Sequence, residues 1–280
     1  MSFSKTQKCI GVIAAVALLG SIVAKADIGN TINNAKTGTT VSCSGTYSVA
    51  EEIKVPTSVT VQGSATFNFS TGTKTQAGIY LGNSGGKVNS ITVVGANHAI
   101  LCEASSCSIN SCVTHDNYND GIMFENSGAK SSSISGCTSY NNCDTESGGG
   151  NADGFGCKQG TGTGLTFNNC TSYENSDDGF DFEKAGNPVV VTGCVSYNQG
   201  SSHGYTGNGN GFKMGYSGNN IAHTYTSCTA YNNTAGDSPH GFSTNNSTAK
   251  IHLNTCHSYG NKEADVLGNC VLSNCTMQTN

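Results

Sequence analysis

The sequence predicts an all-β fold, a single-domain right-handed parallel β-helix, from three observations. A unit of 24 to 34 residues repeats, its apolar pieces are strand-sized with no helical period, and its composition is that of many turns. Gly contributes 37 of 280 residues and Asn 32, but Pro only 3. Charged residues are just 11%, yet hydrophobic residues reach 35% and recur in short regular pieces, which argues against disorder.

Taken in chain order, the first element is not part of the fold. Lys5 and Lys8 precede an apolar run from Cys9 to Ala24, and Ala24-Lys25-Ala26 supplies a small-x-small cleavage site. Residues 1–26 therefore read as a secretory signal peptide. A membrane anchor is the weaker reading, because the run is short for a span and no second apolar stretch follows. The β-helix domain is assigned to residues 27–280, an exported, extracellular monomer with no membrane contact after signal removal. Its first coils are read from the alternation of Ile53, Val55, Val59 and Val61, then Ile91 and Val93, with capping expected from the region just after Asp27.

From residue 108 one pattern returns: an apolar strand, Cys-x-x-Tyr-x-Asn, a variable loop, then x-Gly-Phe. Its instances begin at Cys112, Cys137, Cys170, Cys194, Cys228 and Cys256. A leucine-rich repeat has similar length but lacks this punctuation, and a propeller blade is longer. Stacked coils turn each repeated position into a ladder. The Cys ladder reads chiefly as small inward apolar packing, although coils ~4.8 Å apart are within disulfide reach. The Asn ladder reads as stacked amides satisfying turn backbone. Asn-x-Ser/Thr sequons occur at Asn68, Asn232, Asn246 and Asn274. A further one, Asn169, is expected to be packed in the strand before Cys170.

Aligning coils on x-Gly-Phe places Ile122, Phe155, Phe180, Phe212 and Phe242 inside, with Met123, Gly156, Asp181, Lys213 and Ser243 facing out. A second outward column stacks Asp120, Asp153, Asp178, Asn210 and His240. Asp153, Asp177, Asp178 and Asp181 thus gather within about one coil spacing. Carboxylates packed so closely raise one another's pKa unless a hard cation neutralises them, and Ca2+ accepts such irregular oxygen cages. The bland reading is a solvated acidic edge, since Asp-Gly is ordinary turn chemistry.

Two chemistries fit the cluster. Paired carboxylates suit glycoside hydrolysis of the polygalacturonase kind. Alternatively, a metal on a uronate carboxylate acidifies the adjacent proton and a base removes it, so that the C4–O bond breaks by β-elimination. Lys213 suits the base, though an ion pair with Asp181 alone would also explain it. Lys158 and Glu183 are expected to pair with each other, and Lys158, Asn210 and His240 are candidate substrate-binding residues.

The blocks Asn151-Ala-Asp-Gly-Phe-Gly-Cys-Lys158, Ser176-Asp-Asp-Gly-Phe-Asp181 and Gly209-Asn-Gly-Phe-Lys213 resemble the signature of polysaccharide lyase family nine. The resemblance covers roughly residues 100 to 262. It implies about ten coils and a calcium-dependent pectate lyase acting on polygalacturonate. By the same resemblance, Asp153, Asp177, Asp178 and Asp181 are metal ligands and Lys213 is the catalytic base. The chain departs from the family pattern in its short N-terminal part and its Cys-rich ladder.

The chain contains no Arg. That excludes the arginine base that other pectate lyase families resembling this fold use, and polygalacturonase-type Gly-His-Gly and Arg-x-Lys elements are missing too. After the signal, 10 Lys oppose 18 acidic residues, a net charge of −8. Such a surface disfavours nucleic acid, and it repels an acidic polysaccharide unless a cation bridges the two. A non-catalytic carbohydrate-binding or adhesin β-helix accounts for the repeats but not for the acidic cluster beside Lys213.

Overall fold

The computed structural model describes residues 27–278 apart from 73, 75 and 76; the expected signal peptide over 1–26 lies outside the described residues. Among the described residues, no helix is long and apolar enough to cross a membrane. The one helix among the described residues, Ile28–Asn33, is capped by Asp27, whose carboxylate accepts from the Asn30 N–H. It buries Ile32 against the first coil and so shields that end of the core, as expected for the segment after Asp27.

From Lys87 onward each coil lays two short strands in an 18-stranded sheet, to which the first two coils give one long strand each, Thr40–Ser48 and Thr60–Asn68. A 9-stranded sheet forms the third side, and all strands pair in parallel and in register. The three-residue strands are bounded by single left-handed residues. Before the Tyr-bearing strands these are Ser111, Gly136, Asn169, Gly193, Ser227 and Thr255, with φ of 50–64°. After them come Asp116, Asn141, Glu174, Asn198, Asn232 and Gly260, at 52–66°. Asn and Gly tolerate this region best, which explains their abundance. Asn169 is one of these bend residues and is exposed, not packed in a strand. The strand ends one residue earlier, at Asn168, because the chain must turn before Cys170 can point inward.

The ladders read from the repeat are all present. Inside, Phe155, Phe180, Phe212 and Phe242 stack with ring centroids 4.7–4.8 Å apart, each burial contributing roughly 1.5–3 kcal/mol. The six repeat cysteines are buried and unbridged; the sulfurs of Cys137 and Cys194 accept from the backbone N–H groups of Cys112 and Cys170, both at 3.4 Å. The amides of Asn117, Asn142, Asn175, Gln199, Asn233 and Asn261 form a continuous buried series in which each side-chain oxygen accepts from the coil before. Outside, His115, Tyr140, Tyr173, Tyr197, Tyr231 and Tyr259 stack at 4.7–5.2 Å.

The Gly of x-Gly-Phe is required by close approach. A Cβ on Gly154 or Gly179 would fall 2.0 Å from Ser172 Oγ or Ser196 Oγ. That Gly column lets the bend run tight against the wall behind it and fixes where the next three residues sit.

Candidate active site

The 9-stranded sheet carries the site. Strands Ile122–Glu125, Phe155–Lys158, Phe180–Asp181, Phe212–Lys213 and His240–Ser243 lie side by side. Register pairs Gly156 with Asp181, Asp181 with Lys213 and Lys213 with Ser243, as the alternation predicts.

The column at the start of these strands is tied by its own side chains. Asp120 Oδ1 accepts from the Asp153 N–H at 3.0 Å, and Asp153 Oδ1 accepts from the Asp178 N–H at 2.9 Å. Asp178 Oδ1 accepts from both nitrogens of Asn210, at 2.7 and 2.8 Å. His240 Nδ1 ends the series, 3.2 Å from Asn210 Oδ1 and 2.8 Å from the Ser238 carbonyl. Asp181 Oδ1 accepts from the Glu183 N–H. One oxygen of each carboxylate is thereby spent on the backbone, and the other, Oδ2, is left to side-chain partners.

Oxygens of Asp153, Asp178 and Asp181 come within 4.8 Å of one another, and all three residues are buried. Asp178 Oδ2 is buried and accepts no hydrogen bond. A buried, oxygen-only donor set fits a hard divalent cation such as calcium, which would satisfy Asp178 Oδ2 more closely than the Lys213 ammonium 3.3 Å away. Asp177, the fourth aspartate of the expected set, stands beside this trio and outside its tightest grouping, with Oδ1 accepting from the Asn208 N–H at 2.6 Å.

Lys213 Nζ lies 3.3 Å from Asp178 Oδ2, 3.3 Å from Asp181 Oδ2 and 3.1 Å from Glu183 Oε2. Lys158 Nζ lies 2.7 Å from Asp153 Oδ2 and 3.2 Å from Asp181 Oδ2. The expected Lys158–Glu183 pair does not form. Lys158 turns to Asp153 and Asp181, and Glu183 serves Lys213 instead. Neither partnership follows from the alternation, nor does that of His98, which faces Asp120 Oδ2 at 3.1 Å. The available signal is the aspartate cluster itself, whose summed charge attracts the nearest lysines.

Burial pushes the carboxyls of Asp153 and Asp178 above their ordinary range, and Asp177 rises to about 8 through burial and the neighbouring Asp178 charge. Asp181 is also buried, but Lys158 and Lys213 outweigh that and hold it below the usual range. Burial alone would lower the Lys213 ammonium; Asp181 and Asp178 reverse this and hold it above the ordinary lysine value.

A family model described as "Pel9A-like, right handed beta helix region" matches residues 16–274. The chain is 36% identical over 153 residues to pectate lyase L of Dickeya chrysanthemi, covering 52% of this chain and 34% of that protein. It is 28% identical to pectate lyase PEL9 of Emericella nidulans over 61% of this chain and 49% of the relative. It thus spans about a third to a half of the length of these curated relatives. The crystal structure of pectate lyase Pel9A superposes with a TM-score of 0.66 at 25% identity, over 87% of this chain and 69% of that one. A rhamnogalacturonan lyase shares the fold, with a TM-score of 0.69 at 22% identity over 82% of this chain and 68% of that one. The in-register aspartates and lysine stand within the matched residues, and the chain belongs to the Pel9A-like right-handed β-helix family, that of polysaccharide lyase family nine.

Proposed function

We propose that this chain is an exported polysaccharide lyase that cleaves α-1,4-linked polygalacturonate by calcium-dependent β-elimination, with Lys213 as the base. The observation that carries the reading is the in-register pairing of Lys213 with Asp181, beside aspartates whose outward oxygens converge. The pectate lyase activity for which its relatives are named supports the substrate class. The acidic surface supports a bridging cation.

Asp153, Asp178 and Asp181 would hold the cation through the oxygens not bound to backbone, with Asp177 adding a fourth carboxylate at the edge. When bound, calcium neutralises the uronate carboxylate and so acidifies the adjacent C5 proton. Lys213 Nζ takes that proton, the C5 electron pair becomes the C4=C5 double bond, the C4–O bond breaks, and the departing oxygen is protonated from solvent. The aspartates that hold Lys213 as an ammonium are those that a cation would neutralise, so ion binding and the free-amine base are coupled. Lys158, Asn210 and His240 lie along the same groove and are proposed to contact the polymer.

Incubation with polygalacturonate, with calcium or with chelator, tests this directly. Calcium-dependent growth of the ultraviolet absorbance of an unsaturated product is expected. New reducing ends without that absorbance would mean hydrolysis and would overturn the reading.

A further inference from the structure

Each of the three converging aspartates has one oxygen engaged with backbone and one, Oδ2, turned to lysine. Two ammonium groups cover all three outward oxygens: Lys158 faces those of Asp153 and Asp181, and Lys213 faces those of Asp178 and Asp181. A divalent cation bound between the same oxygens needs contacts of ~2.3–2.6 Å. Lys158 Nζ, at 2.7 and 3.2 Å from two of them, lies in nearly that position. A divalent ion and an ammonium repel strongly at such separations, so the two cannot share the site.

We infer that Lys158 is a tethered counter-cation: it fills the ion site when no metal is bound, is expelled by calcium, and then takes a carboxylate of the acidic polymer. Two features of the chain permit the exchange. Lys158 itself remains partly exposed, so the displaced head can reach water. Glu125 is its in-register neighbour on the preceding coil and provides a carboxylate to rest against before substrate arrives. Lys213, paired with Glu183 as well, keeps a partner outside the aspartate trio and stays in place. The exchange rests on the proposed metal site but not on the lyase reaction, because it is measured without substrate.

Calcium titration calorimetry on the full chain compares wild type with Lys158→Met, Lys158→Gln and Lys158→Arg. The neutral variants are expected to bind calcium roughly tenfold or more tightly, since the competing charge is gone, and Lys158→Arg to bind about as weakly as wild type. In chelator the neutral variants should melt below wild type, and calcium should raise their melting temperature by more than it raises wild type's. With polygalacturonate under saturating calcium, Lys158→Met should raise KM more than it lowers kcat. Unchanged or weaker calcium binding in both neutral variants, with circular dichroism showing them folded, would overturn the exchange while leaving the lyase reading intact. Absence of calcium binding in wild type would overturn the metal site and the exchange together.

Discussion

Two ladders run through the same coils and do opposite things. The amide ladder from Asn117 to Asn261 is closed: each member both donates and accepts, and the series is buried. The carboxylate column of Asp120, Asp153 and Asp178 repeats the same geometry with groups that can only accept. One oxygen per residue finds a backbone N–H, and the second is met only by a nitrogen-bearing side chain: His98 at Asp120, Lys158 at Asp153 and Lys213 at Asp178. A repeat of amphoteric side chains completes a structure, whereas a repeat of pure acceptors leaves a binding demand.

The comparison is broken most severely at Lys213. Lys213→Ala should lower turnover by about 10²–10⁴-fold, the range of a lost general base, and in chelator it should also lower the melting temperature, because Asp178 and Asp181 lose a compensating charge that calcium would restore. Near-normal calcium-dependent cleavage in that variant would reassign the outward column to a structural role. Asp178→Asn is the sharper probe, because it converts one rung into an amide while keeping an acceptor for Asn210. Calcium affinity, read by calorimetry, should fall by at least the ~10–100-fold seen when a supporting partner of a metal ligand is lost.

In the closed ladder the reverse pattern is expected. Asn175→Ala leaves the amides of Asn142 and Gln199 without their partner, and should cost about 2–3 kcal/mol in urea unfolding while kcat stays close to wild type. The smallest effect concerns pH. Asp177, pushed up to about 8, and Asp153 and Asp178, also raised, bind protons more tightly folded than unfolded. Their protonated forms therefore stabilise the fold at low pH, and this contribution is lost as pH rises from about 4 towards 8. In chelator the melting temperature should decline modestly across that window. With calcium the decline should flatten, and activity should peak on the alkaline side.

Much of this architecture is legible in the sequence. Period-two alternation anchored on Gly-Phe is enough to put Asp181 beside Lys213, because in-register coils leave no freedom in which residues become neighbours. The same reasoning locates the inward phenylalanines and the amide series. Side-chain directions escape it. Lys158 is outward by alternation but bends back to Asp153, five residues earlier in its own coil. Asp177 precedes the strand, where alternation gives no direction, and its carboxylate turns to the Asn208 N–H of the next coil's loop. Asn169 reads as a strand residue although its backbone is already left-handed, because the same residue type serves both as ladder amide and as bend.

The in-register stacking also means that positions in the site are counted in coils and not in residues. Asp153, Asp178 and Lys213 occupy three successive levels although 25 residues separate the first two and 35 the next two. Segments between levels, such as residues 201–206, can therefore be lengthened, shortened or exchanged without moving the chemistry. An insertion of one residue inside Phe180–Asp181 would instead turn the carboxylate into the core. The groove's walls are free to evolve at a different pace from its floor.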